Sequence, residues 1–251
     1  TRSRRLGASM KALIGASAAV ALGLGSAVAG GVSATAAPAK PVLIADQFAK
    51  YSTNSSWTDG QDFGPWQVVF AGYGSVSVPA QRPRSIRLAP AAASDQGQTH
   101  AALVVSKKQL KNRCISVTSR LKTHAQLRTG TPANPWETGW LIWDYTDNDH
   151  FSYLALKTNG WELGKRDPAY PGGQRFLATG DSPASAVGQW RTARIKRIAS
   201  ADGTSSTMHA YISGVRVTTF VDAERPYRAG KVGMYTEDAA VDVDYLRANR
   251  C

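Results

Sequence analysis

Between residues 115 and 128 two sets of side chains alternate one for one. Ile115, Val117, Ser119, Leu121, Thr123, Ala125 and Leu127 interleave with Ser116, Thr118, Arg120, Lys122, His124, Gln126 and Arg128. A period of two belongs to a strand with one packed face and one solvated face, and here the solvated face is basic. His124 is the side chain suited to moving a proton near neutral pH, and Gln126 can donate and accept beside it. Arg128 can pair both oxygens of a carboxylate through its planar fork, with Arg120 and Lys122 adding charge along the row. That chemistry is recognition of an acidic ligand with a proton relay at hand. The plain alternative is a solvated sheet face.

A second group of reactive types lies at residues 151–166. Two β-rich runs flank Asn159-Gly160, the dipeptide that best supplies the two positive φ values of a tight hairpin turn. A two-residue loop sets Thr158 opposite Trp161 and predicts the pairs Lys157 with Glu162, Leu156 with Leu163, Ala155 with Gly164, Leu154 with Lys165 and Tyr153 with Arg166. Leu154, Leu156, Trp161 and Leu163 then share a core face, with Lys165 snorkelling at its end. Tyr153, Lys157, Glu162 and Arg166 surround the small Ala155 and Gly164 on the other face, as the floor of a groove would. Tyr153 is a proton donor or a stacking surface there. Glu162 and Glu137 are the carboxylates that could work as an acid and base pair, although Glu162 and Lys157 could equally form a cross-strand ion pair. The preceding strand, 137–145, puts one tryptophan over the same groove. An even turn brings Trp140 and Ile142 to the face of Tyr153, and an odd one brings Glu137, Trp143 and Tyr145.

The elements that must hold these residues are strands. Residues 66–70, 75–78, 85–88, 101–105, 189–198, 207–212, 215–220, 231–235 and 240–246 are β-rich and separated by Gly, Pro, Asp and Ser, with Ser213-Gly214 as a second two-residue turn. No stretch carries a capped helical stripe. Residues 129–135 and the Pro/Gly/Ser-rich 167–188 are expected as surface loops, the latter rimming the groove. The pattern predicts an all-β, two-sheet antiparallel sandwich or jelly roll, a single domain over residues 45–251.

The chain has 251 residues with 30 Lys and Arg against 18 acids, a net charge of +12. Arg2, Arg4, Arg5 and Lys11 precede an Ala/Gly/Leu run that ends at Ala34-Thr35-Ala36, so residues 1–36 read as a secretory signal and 37–44 as a short linker. Without those four cations the balance is still +8, which points to an acidic extracellular polymer or to solubility alone. The two cysteines, Cys114 and Cys251, are wrongly spaced for zinc, and outside the cell they are expected to pair. A polysaccharide is the expected partner of a monomer, with no nucleic acid and no membrane.

Several runs carry a resemblance. Trp190-Arg191, Tyr211-Ile212-Ser213-Gly214, Gly230-Lys231-Val232-Gly233-Met234-Tyr235 and Val241-Asp242-Val243-Asp244-Tyr245, with Asp46-Gln47-Phe48 near the start, are similar to the concanavalin A-like lectin/glucanase superfamily. The resemblance implies two curved antiparallel sheets with glycan on the concave one. Its members include lectins, laminin G-like modules, family 16 glycoside hydrolases and lyases of alginate or glucuronan. The two glutamates and aspartate that alternate on one strand in family 16 have no counterpart here. His124, Gln126 and Arg128 resemble in content the Gln-x-His strand of the alginate lyases, in reversed order, so the resemblance implies a lyase of an acidic polysaccharide. His124, Gln126, Arg128 and Tyr153 would be catalytic, and Arg120, Lys122, Glu137, Trp140, Trp143, Tyr145, Lys157, Glu162 and Arg166 would bind substrate. A glycoside hydrolase using Glu137 and Glu162, or a non-catalytic glycan-binding module, is the alternative. No cofactor is required. A structural Ca2+ held by Asp46, Asp242 and Asp244 is allowed, since superfamily members often hold one where the terminal strands meet.

Overall fold

The computed structural model describes residues 39–80 and 84–251, so the expected signal at 1–36 lies outside the described residues. In chain order the strands are β1 (Val42–Asp46), β2 (Ser56–Trp57), β3 (Asp62–Phe63), β4 (Trp66–Phe70), β5 (Ser75–Ser77), β6 (Ile86–Ala89), β7 (Ala101–Ser106), β8 (Cys114–Gln126), β9 (Gly139–Asp147), β10 (His150–Ala155), β11 (Trp161–Arg166), β12 (Gln174–Gly180), β13 (Arg191–Ala199), β14 (Ser206–Ile212), β15 (Val215–Asp222), β16 (Lys231–Glu237) and β17 (Ala239–Arg250). They form two antiparallel sheets. A nine-stranded sheet runs β15-β14-β13-β8-β17-β6-β5-β2, with β1 beside β17, and an eight-stranded sheet runs β12-β11-β10-β9-β16-β7-β4-β3. One 3-10 turn, Pro171–Gly173, is the only helical element among the described residues, none of which is long and apolar enough to cross a membrane.

Alternation builds the core as expected. In β8 the odd residues Ile115, Val117, Ser119, Leu121 and Thr123 are buried, while the even ones face outward. Ile115, Val117 and Leu121 meet Leu141, Trp143, Leu154, Leu163 and Met234 of the facing sheet in one inter-sheet cluster. A second apolar cluster, Trp140, Ile142, Tyr145, Phe151, Tyr153 and Tyr235 among its members, covers the outer face of the eight-stranded sheet. Cys114 and Cys251 are bonded, tying the end of β17 to the start of β8 across a separation of 137 residues.

Three local expectations are corrected. The β10–β11 hairpin pairs Tyr153 with Gly164, Leu154 with Leu163 and Ala155 with Glu162, two residues off the predicted register. The Gly160 amide donates to the Lys157 carbonyl, so Asn159-Gly160 closes a four-residue turn instead of forming its centre, and Thr158 N–H donates to Pro135 O outside the hairpin. A slip of two keeps every side chain on its face. The second correction is β12, which lies inside the expected loop at 167–188 and pairs with β11 as the sheet edge. An edge strand with one neighbour can be built from as little apolar material as Gln174-Arg175-Phe176-Leu177. The third is β1, which begins inside the expected linker and pairs with β17.

Candidate functional site

The two sheets separate residues that the basic strand would have brought together. β8 belongs to the nine-stranded sheet and Tyr153 to the eight-stranded one, so His124 and Tyr153 lie on different sheets of the sandwich and cannot act on one atom. His124 instead approaches Asp242 at 3.7 Å, beside Lys122 at 3.0 Å. Gln126 donates to the carbonyls of Asn134 and Glu137. Arg128, expected at a groove mouth, has a side chain only 3% exposed and bonds Glu137 and Asp238, each at 2.6 Å, as well as the carbonyls of Asp95 and Gln98. Every edge of its guanidinium is spent on the fold. Glu137 is fully buried beneath it and also accepts from Asn134, so it is no hydrolytic carboxylate.

The groove face of the eight-stranded sheet is built as its alternation requires. Register sets Glu162, Ala155, Trp140 and Tyr235 side by side across β11, β10, β9 and β16. Trp140 shares this face with Ile142, and Trp143 points into the inter-sheet core. Tyr145 nevertheless returns to the outer face. Asp144 takes a positive φ of 53° in a bulge, and its carboxylate is clamped by the buried Arg197 at 2.7 and 2.9 Å, which flips the phase of the next residue. Gly164 is needed where it stands because a Cβ there would overlap the Tyr153 phenol.

Over this row opens a cleft of about 260 Å³ lined by Trp136, Trp140, Lys157, Glu162, Gln174, Phe176 and Glu237. Trp136 and Phe176 stand on its rim, 41% and 64% exposed. The backbone carbonyl of Trp136 accepts from the Trp140 indole at 2.8 Å, fixing the Trp140 ring against the main chain of the preceding loop. Tyr153 donates to Glu162 Oε1 at 2.8 Å, Gln174 donates to the Tyr153 oxygen, and Lys157 lies 3.4 Å from Glu162 Oε2. Glu162 is thus held by donors on both oxygens. Burial raises the Tyr153 phenol far above its ordinary value, and the neighbouring Glu162 charge raises it further, so the phenol stays a donor.

Glu237 differs in kind. Burial pushes its carboxyl above the usual range, the 2.7 Å hydrogen bond from Tyr235 pulls it back, Asp238 pushes it up and Arg166 pulls it down, with a net rise. Arg166 is otherwise weakly held, 4.0 Å from Asp149. The cleft therefore holds two carboxylates in unlike surroundings, one braced by donors and one disposed to keep its proton. Sequence reasoning found Trp140, Tyr153, Lys157 and Glu162 but missed Glu237, Trp136, Gln174 and Phe176. The period of two in Tyr235-Thr236-Glu237 is the signal for Glu237, and it acquires meaning only once β16 is known to lie beside β9.

The three aspartates proposed for calcium do not fit a cation. Asp46 accepts from Phe48 N, Tyr51 and Trp66 and meets Lys50, Asp242 is covered by Arg87 and Lys122, and Asp244 is paired with Arg120. Their negative charge is already neutralised by this chain's own cations, and no group of three or more His, Cys, Asp or Glu able to hold a metal occurs among the described residues.

Neither a family model nor a curated protein matches the sequence. Solved structures do match. An endo-1,3-beta-glucanase from Streptomyces sioyaensis superposes with a TM-score of 0.50 at 12% identity, over 85% of this chain and 98% of that one. The metal-free VIP36 exoplasmic/lumenal domain superposes with a TM-score of 0.50 at 11% identity, over 78% and 88%. At these identities the likeness is one of fold. The two antiparallel sheets of a jelly-roll sandwich agree with it, and the chain carries the concanavalin A-like lectin/glucanase fold.

Proposed function

We propose that the chain is an extracellular glycoside hydrolase acting on a neutral polysaccharide in this cleft as a monomer. The observation that carries the reading is the pair Glu162 and Glu237 lining one aromatic-walled cleft, Glu162 braced by Tyr153 and Lys157 and the Glu237 carboxyl raised by burial. Glu237 gives its proton to the glycosidic oxygen as the C1–O bond breaks. Glu162 takes a proton from the water whose oxygen bonds C1, and Lys157 and Tyr153 hold that carboxylate in place. Between their strands lie β10 and β9, and Glu237 lies two residues along β16 from the row of Glu162, so the two backbone positions stand about 16 Å apart. Side chains reaching inward across that span favour the wider carboxylate separation that admits a water, and hence inversion at C1. Trp136 and Phe176 offer exposed ring faces for the C–H faces of sugars. Two carboxylates in the cleft against one lysine favour a neutral glycan over a uronate. The fold neighbours include a protein named as a glucanase and one named as a lumenal domain, and the disulfide supports action in an oxidising compartment.

Glu162→Gln and Glu237→Gln test this directly. Each is expected to lower turnover at least about a hundredfold while leaving the affinity for an uncleaved oligosaccharide within a few fold. Glu237→Gln should also gain stability at neutral pH, because a buried acid with a raised pKa stabilises the fold only when protonated. That gain vanishes as pH falls below the ordinary glutamate value. Equal turnover in wild type and both variants rejects the reading. A second reading, a binding module without turnover, is favoured by one observation: Tyr153 and Lys157 already occupy both oxygens of Glu162.

A further inference from the structure

The outer face of the nine-stranded sheet, on the opposite side of the sandwich, is half neutralised and half bare. Around β17 and β6 its cations are matched: Arg120 with Asp244, and Arg87 and Lys122 with Asp242. Toward β13, β14 and β15 the matching stops. Ala193, Ile195, Met208 and Ala210 face the core, which sends Arg194, Lys196, His209 and Tyr211 outward. The ladder then aligns Arg216, Tyr211, Arg194, Thr118 and Arg247 in one row across five strands, with Thr219, His209, Lys196, Ser116 and Asn249 in the next. Neither row contains an acid. Arg194, Lys196, Arg216 and Arg247 have no carboxylate partner among the described residues, and the Arg194 guanidinium lies 3.8 Å over the Tyr211 ring. The field is felt within the patch: burial, then the charges of Lys196 and Arg216, hold His209 below its ordinary pKa.

The geometry points to this face as a second binding surface, separate from the cleft and independent of the reaction proposed for it, that takes an acidic polysaccharide bearing carboxylates at disaccharide intervals. Arg216, Arg194 and Arg247 sit on alternate strands, so successive guanidinium groups are about 10 Å apart along the row. That is roughly the length of two sugar units in an extended chain, and each fork can meet one carboxylate in bidentate fashion. Tyr211 supplies a ring between the first two. Duplex DNA carries a charge about every 1.7 Å along a groove-bearing helix, a density that a flat row with two strand spacings between charges does not match. A neutral glycan in the cleft and an acidic one on the opposite face would anchor the enzyme to a mixed polymer matrix while it works.

The test is affinity of the full chain at low salt for hyaluronan, which bears one carboxylate per disaccharide, wild type against Arg194→Gln/Lys196→Gln/Arg216→Gln. A second triple, Lys107→Gln/Lys108→Gln/Arg228→Gln, removes the same charge from exposed sites elsewhere. The patch variant is expected to bind at least about tenfold more weakly, the charge-matched variant to change less than threefold, and Glu162→Gln/Glu237→Gln to bind as wild type does. All positions changed in the patch are solvent-facing, and single substitutions give the same ordering if the triple does not fold. Equal losses in both triples, or no retention of wild type, overturn the inference. Tighter binding of duplex DNA or of phosphatidylserine vesicles through the same three residues overturns the assignment of partner.

Discussion

Arg128 shows how much a residue's role depends on what faces it. Read from its strand, it ends a basic row and looks free to meet a ligand. In the fold it is the cation that neutralises Glu137 and Asp238. Removing it would leave two acids with little solvent and no cation beside them, and breaking a buried pair in this way costs about 3 to 5 kcal/mol. Arg128→Met is therefore expected to lose that much stability in denaturant unfolding, with unchanged glycan affinity in the molecules that fold. Lost affinity at full stability would restore Arg128 to a binding role. Arg166 makes the opposite kind of prediction. Its charge lowers the carboxyl of Glu237, whose protonated form is lost as pH rises through its raised pKa. Arg166→Gln lifts that pKa further, so the alkaline limb of the rate profile should move to higher pH. A move to lower pH would disconnect Glu237 from the proton transfer.

The elements show why faces were legible and partners were not. Alternation in β8 and in the β10–β11 hairpin put side chains on the right face of each sheet, and the hairpin's two-residue slip did not disturb that, because faces repeat every two residues; Lys165, expected to snorkel, is instead fully buried and paired with Asp222 at 2.7 Å. Which strand lies beside which is a matter of long-range pairing that no local period carries. His124 and Tyr153 were thus placed on one surface when they lie on two, and Glu237 went unseen. Bulges are equally hidden: Tyr145 returns to the outer face through a positive-φ bulge at Asp144, whose carboxylate pairs with Arg197. Gly164 is where β11 yields to β10. Adding a methyl there would drive into the Tyr153 ring, and overpacking of this kind costs about 1 to 3 kcal/mol. Gly164→Ala should lower both stability and turnover, the latter because a displaced phenol no longer positions Glu162. Wild-type turnover in a destabilised Gly164→Ala would show that the Tyr153 hydrogen bond serves folding alone.

For the whole molecule, the sandwich is closed by one covalent link between the last residue and the first of its longest strand. A loop of 137 residues is worth about 4 to 5 kcal/mol in the chain-entropy account. Cys114→Ser/Cys251→Ser should accordingly melt roughly 10 °C or more below wild type in the absence of reductant, and a shift of only a degree or two would mean that β1, β8 and β17 hold the terminus without it. The two outer faces divide the labour of this body, an acid-lined cleft on one and a bare cationic ladder on the other. Part of the net positive charge stands on the second, where Arg194, Lys196, Arg216 and Arg247 lack carboxylate partners, and charge summed over the chain could not show that it lies away from the cleft. The most direct measurement follows product from a panel of neutral glucans and polyuronates, recording reducing ends and ultraviolet absorbance together. Reducing ends released from a neutral glucan with no rise in absorbance is the predicted result. An absorbance rise on a polyuronate, the mark of elimination, would contradict it.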